Sequence, residues 1–175
     1  MRLPCSQVSV DPQVLSRVGR ELLARVQTVY ADAGVALPER QLWTVGAVPY
    51  DCGMLAVSLS SLREGVGIGD AEVQRPCEVT VAATFRVIVV RCVPVPDSRG
   101  NPPTPERIAA AADTLATDAY LLMRSACKLD MWAAGLRPAP HPSVFGGMGV
   151  NATVEVEDAS GGAQAVVLTL ETVIS

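Results

Sequence analysis

The stretch from Glu78 to Val93 constrains this chain more than any other. Val79, Val81, Phe85, Val87 and Val89 share one parity, and residues of one parity line one face of a strand. The other parity, Thr80, Thr84, Arg86, Ile88 and Val90, is polar at first and apolar from Ile88 onward. A strand that turns apolar on both faces at one end is expected to be covered on both sides there, as a central strand beneath a helix is. Pro94-Val95-Pro96 ends it, because proline cannot donate to a ladder. Whatever else the chain does, it must supply helices to lie on this sheet.

Two segments meet that demand. Asp11-Pro12 joins a good N-cap to a proline at the first helical position, where the missing N–H costs nothing. Val14, Leu15, Val18, Leu22, Val26 and Val29 then recur at helical steps, with Arg17, Arg20, Glu21 and Arg25 off the stripe and Gly34 as C-cap. The spacing predicts a helix over about 11–33. After a loop of turn formers from Asp97 to Pro103, Thr104-Pro105-Glu106 supplies a second cap with a favourable first-turn carboxylate. The second helix is predicted from Pro105 to Leu129, its apolar stripe being Ile108, Ala111, Ala112, Leu115, Ala119, Leu122, Met123 and Ala126.

The remaining strands are shorter. Leu55, Val57 and Leu59 alternate with Ala56, Ser58 and Ser60, which predicts a strand buried on one face. Trp43 to Val48 is expected as another, and Arg63 to Pro76, rich in glycine and acid, as a long exposed loop. Three prolines in Arg137 to Pro142 end the helical region, and Val144 to Gly149 connects to the last unit. Val150 to Glu157 and Ala165 to Ile174 read as a hairpin about the Asp158–Gly162 turn. At 175 residues the whole reads as one α+β domain, residues 1–175, without internal repeats. Its sheet is expected to be mixed or mainly antiparallel, with two long helices packed on one face and a C-terminal β-hairpin.

Composition removes several function classes. With 49% hydrophobic and 18% charged residues, the chain is not disordered. No run approaches the roughly 20 apolar residues of a bilayer span, and Met1–Val10 lacks the character of a signal peptide. A soluble, unsecreted protein without a membrane partner is expected. The net charge of −4 provides no overall field for nucleic acid. Cys5, Cys52, Cys77, Cys92 and Cys127 are odd in number and widely spaced, which points to reduced thiols rather than a disulfide framework.

The motifs that might carry chemistry are thin. A cysteine nucleophile needs a base, and the one histidine, His141, sits between Pro140 and Pro142. Cys92 and Cys127 fall beside apolar positions, where cysteine serves as a small core residue, while Cys52 and Cys77 flank the long loop. Zinc would need paired ligand spacings that are lacking, so no metal and no cofactor are expected. Gly65-Val66-Gly67-Ile68-Gly69-Asp70 has neither the spacing nor the lysine of a phosphate loop and reads as a flexible loop. Asp118, between Leu115 and Leu122, either borders solvent or pairs with a cation such as Arg86 or Arg91, and a structural ion pair is favoured over a catalytic acid.

One resemblance goes further. Tyr50-Asp51-Cys52-Gly53-Met54-Leu55-Ala56-Val57-Ser58, then Gly65, Gly67 and Cys77, then Ala83-Thr84-Phe85-Arg86-Val87 and Val90-Arg91-Cys92-Val93-Pro94-Val95-Pro96, resemble the tail terminator family of long-tailed actinobacterial phages, or a related head-to-tail connector. Asp118-Ala119, Leu121-Leu122 and Gly146-Gly147 extend the likeness over most of the chain from Tyr50 onward. It implies a non-enzymatic virion protein of the neck, assembled in the host cytoplasm. A hexameric ring of identical subunits would cap the tail tube protein, end its polymerisation and meet the head connector or head-closure protein. DNA would pass through the channel without specific binding.

Heterologous contacts close such a ring, and loops on a rigid scaffold are where they concentrate. The expected interface loops carry Arg63, Glu64, Asp70, Glu72 and Arg75 in the first, Asp97, Arg99 and Asn101 in the second, and Glu157 and Asp158 in the hairpin turn. Two alternatives stand beside this reading. One is another neck subunit, a head-closure or connector-adaptor protein. The more remote one is a small cysteine-dependent hydrolase.

Overall fold

The computed structural model describes residues 12–64, 81–127 and 151–174. In chain order these form α1 (Pro12–Ala33), β1 (Arg40–Val45), β2 (Met54–Glu64), β3 (Val81–Cys92), α2 (Pro105–Cys127), β4 (Asn151–Val156) and β5 (Ala163–Ile174). The class is α+β, as expected, with a mixed sheet in the order β1-β2-β3-β5-β4. β3, the segment with the strongest sequence signal, occupies the centre. It pairs antiparallel with β2 and β5, β4 pairs antiparallel with β5, and β1 lies parallel to β2.

Each face of β3 seals a different cluster. Ala83, Phe85, Val87 and Val89 join Leu55, Val57 and Leu59 of β2 and Val166, Leu168 and Leu170 of β5. Onto this face α1 brings Val18, Leu22, Val26 and Val29, and α2 brings Leu115, Leu121, Leu122 and Ala126. Full burial of a side chain of this size contributes about 1.5–3 kcal/mol. On the opposite face Ile88 and Val90 join Met54, Ala56, Ala165 and Val167. The switch to apolar residues at Ile88 therefore marks burial on both sides. β2 departs from expectation here: Met54 through Leu59 are buried on both faces, Ala56 and Ser58 included. Small residues do not reveal in sequence which faces are covered, since alanine and serine suit either environment.

The helix ends follow their local chemistry. Gly34 takes a positive φ of 66°, donating its N–H to Ala31 O, while Val35 donates to Tyr30 O. Thr104 caps α2, its Oγ accepting from the Arg107 N–H at 3.4 Å. Its neighbour Glu106 is held below the usual carboxylate range by its own backbone N–H and then by Thr104. α1 lies close to the sheet because Gly19 has no side chain, and the Trp43 ring fills that space. Trp43 in turn stands 6.1 Å from Phe85, ring centre to ring centre.

Several expected boundaries change. The first strand is Arg40–Val45 rather than 43–48: its ladder with β2 closes at Val45↔Leu59, and Gly46, with a positive φ of 87°, turns the chain away. On α2 the stripe is rotated: Ile108 and Met123 are exposed, whereas Leu121, Asp118 and Ser125 are buried. β2 extends to Glu64, into the expected loop. Asp11, the rest of that loop, Glu78–Thr80, Leu129 and the 137–150 connectors lie outside the described residues.

Candidate functional site

The apolar stripe of α2 is longer than the core it covers. Its C-terminal part, from Leu115 to Ala126, is buried in the cluster shared with the sheet. Its N-terminal part, Ile108, Ala111, Ala112 and Ala116, lines an open cleft of about 540 Å³ instead. The other walls are Val93, Pro94 and Pro103 after β3, and Val156, Ala159 and Gln164 around the β4–β5 turn. At its rim Ile108 and Val156 are about half exposed (53% and 51%), like the nearby Val95. Single exposed apolar residues are ordinary; here Ile108 and Val156 border one apolar-lined cleft.

Two expected interface loops frame this cleft. Asp97 builds its own loop: its Oδ1 accepts from the N–H groups of Arg99 (2.8 Å) and Asn101 (2.9 Å), and its Oδ2 from Asn101 Nδ2 (2.8 Å). The Asn101 side chain, followed by those backbone donors, holds the Asp97 carboxyl below its ordinary range. Asp97 and Asn101 thus fix the loop, while Arg99 projects as an exposed residue. The hairpin turn is joined to the same wall, since Val93 N–H donates to Gly162 O at 2.9 Å.

Glu157 is committed inward. It accepts from Arg86 Nη2 at 2.6 Å and from the Tyr50 hydroxyl, a bridge that runs across the second face of the sheet. Burial and then the bond to Glu157 push the Tyr50 phenol upward from its usual pKa. Asp158 is exposed at the turn. Arg63 lies elsewhere, near the C-terminal end of β2, paired with Glu171 at 2.6 Å. Glu64 ends β2, and Asp70, Glu72 and Arg75 lie outside the described residues. The structure brings the second and third loops together and separates Arg63 from them.

A second polar group is deeply buried. Asp118 has no solvent exposure and accepts two bonds from Arg91, Nε at 2.8 Å and Nη2 at 2.9 Å, plus one from the Tyr30 hydroxyl at 2.9 Å. Arg91 also donates to Ala36 O. The cluster ties α1, α2 and β3 together, which makes it a structural clamp; of the two cations considered for Asp118, Arg91 is the partner. Tyr30 escaped the sequence reading, although its place four residues after Val26 extends the apolar stripe of α1.

The cysteine reading is corrected. Cys52 and Cys92 form a disulfide with Cα atoms 4.9 Å apart, because the β2–β3 register that sets Met54 opposite Val90 carries on to this pair. Cys92 is exposed rather than a core residue, and Cys52 is bonded to it rather than being a reduced thiol. Cys5, Cys77 and His141 lie outside the described residues, and Cys127 ends α2. Among the described residues no group of three or more His, Cys, Asp or Glu side chains could hold a metal, and no helix is long and apolar enough to cross a membrane. In the comparisons with known proteins, no protein-family model matches this chain and no curated protein matches it.

Proposed function

We propose that this protein is a structural subunit of a phage neck, a tail terminator that assembles into a hexameric ring on the tail tube. In this reading the two long helices pack on one face of the sheet to make a rigid body, and the C-terminal hairpin presents its turn to neighbours. The observation that carries it is the open apolar cleft between the N-terminal half of α2, the 93–103 loop and the β4–β5 turn. An apolar helical stripe that continues past its own core suits a neighbouring subunit, and a heterologous contact at one end of the sheet propagates into a ring. Tail tube and head-closure proteins would then bind the two faces of the ring, with DNA passing through a lumen that does not hold it. The resemblance running from the Tyr50 segment through β2 and β3 supports the neck assignment. Virion localisation follows from that assignment.

The test is light-scattering mass of the purified protein, alone and with tail tubes, beside an Ile108→Asp variant. Ile108 is half exposed, so the variant is expected to fold normally. The expected result is a discrete mass near six chains for the parent and a monomer for the variant. A parent that stays monomeric even on tail tubes, or a variant that assembles equally well, overturns the proposal. Another neck subunit is the second reading; loss of the gene then leaves tails of normal length unjoined to heads, whereas loss of a terminator gives tails of uncontrolled length. The hydrolase reading loses Cys52 as a free nucleophile, since its sulfur is bonded to Cys92.

A further inference from the structure

We infer that Cys52 and Cys92 form a reversible thiol–disulfide site that latches residues 46–53 over the second face of the sheet, with a small dithiol as its reaction partner. The inference is independent of the assembly reading. It begins with topology. β1 and β2 are parallel, with Arg40 opposite Met54 and Val45 opposite Leu59. The connection therefore has to return along the whole length of β1, and it does so in eight residues, 46–53. Parallel neighbours normally need a dozen or more connecting residues, commonly a helix. Here the return is an extended strap.

The strap lies across the second face. Val48 packs against the cluster of Met54, Ala56, Ile88, Val90, Ala165 and Val167. Tyr50 reaches Glu157 beyond β4. At its start Gly46 N–H donates to Leu59 O and Gly46 O accepts from the Ser58 hydroxyl. At its end Gly53 N–H donates to Val90 O at 3.1 Å, and Arg40 reaches both Asp51 and Cys52 O. The Arg40–Asp51 pair is more than half exposed on both sides, and such pairs hold little. The covalent bond is the strongest tie the strap has.

That bond is placed where a reagent can reach it. Cys92 is exposed at the end of β3, while Cys52 is half-buried. A thiolate of the dithiol attacks Cys92 Sγ, the Cys52–Cys92 bond breaks, and Cys52 leaves as a thiolate. The second thiol of the reductant then attacks the mixed disulfide and releases Cys92. The protein gains two electrons and two protons, and the reductant becomes a cyclic disulfide. Oxidation by a disulfide of the same class runs the steps in reverse.

The experiment uses the full chain, oxidised and then reduced with dithiothreitol, followed by non-reducing peptide mass mapping and amide hydrogen exchange. The expected result is a Cys52–Cys92 linked peptide in the oxidised protein. On reduction, exchange of the 46–53 amides should rise at least tenfold while β3 and β5 stay protected. A double variant, Cys52→Ser with Cys92→Ser, should match the reduced state under both conditions. Three outcomes overturn the inference: no linked peptide or a link to another cysteine, strap exchange that reduction leaves unchanged, or loss of protection throughout β3 and β5, which would make the bond a support of the whole sheet.

Discussion

Asp118 is a carboxylate without solvent contact, answered by a bidentate Arg91 and a tyrosine hydroxyl. Removing it leaves the Arg91 charge half-buried without a counter-charge, its remaining bond being to Ala36 O. Asp118→Ala is expected to cost about 3–5 kcal/mol, and Tyr30→Phe, which deletes one bond from a carboxylate still held by Arg91, about 1 kcal/mol. Urea unfolding of both variants checks the ranking. Burial, and after it the Asp118 charge and hydrogen bond, raises the Tyr30 phenol above its ordinary value of 10.0. A raised folded-state pKa means stability is fully present below the unfolded value and is lost as pH rises past it. The urea midpoint is therefore expected to fall as pH rises above about 10, and Tyr30→Phe should flatten that fall. This site was partly legible. The position of Asp118 between two apolar residues left solvent or a cation as its partner, and choosing Arg91 over both Arg86 and solvent required knowing which face of β3 lies beneath α2. Arg86 has the opposite parity and goes to Glu157.

Among the elements, α1 and β1 meet where the Trp43 ring packs over Gly19. An ideal Cβ on Gly19 would stand 2.1 Å from Trp43 Cζ3, inside any permitted separation. Gly19→Ala gains about 1 kcal/mol of helix propensity, yet it must displace a ring packed against the core, an overpacking that costs about 1–3 kcal/mol. A net loss of stability is expected in thermal unfolding, and adding Trp43→Leu should restore much of it. Glycine inside a helical pattern showed nothing of this in sequence, since the ring that requires it arrives from another strand. The helices and β3 were legible because periodicity and caps are local signals. The β1 boundaries, the strap and the disulfide were not, because each depends on the register between strands. Cys52 and Cys92 are 40 residues apart, and only the pairing of β2 with β3 brings them together.

At the scale of the whole molecule, the order β1-β2-β3-β5-β4 places the last described strand inside the sheet, between β3 and β4. β5 contributes Val166, Leu168 and Leu170 to the helix-covered core and Ala165 and Val167 to the second face. A chain ending at Ser160 lacks all of these, and it leaves one side of β3 unpaired. Such a truncation is expected to show no cooperative unfolding transition and to aggregate, as circular dichroism and light scattering would report. The same order has a consequence for synthesis. A ribosome adding roughly 5–20 residues per second needs roughly 4–14 seconds to travel from the end of β3 to the start of β5. Throughout that interval the nascent chain can form the β2–β3 pair but cannot close its free edge. Folding is therefore completed only after the C-terminal strand has been made, and the half-made sheet is the species a chaperone would meet.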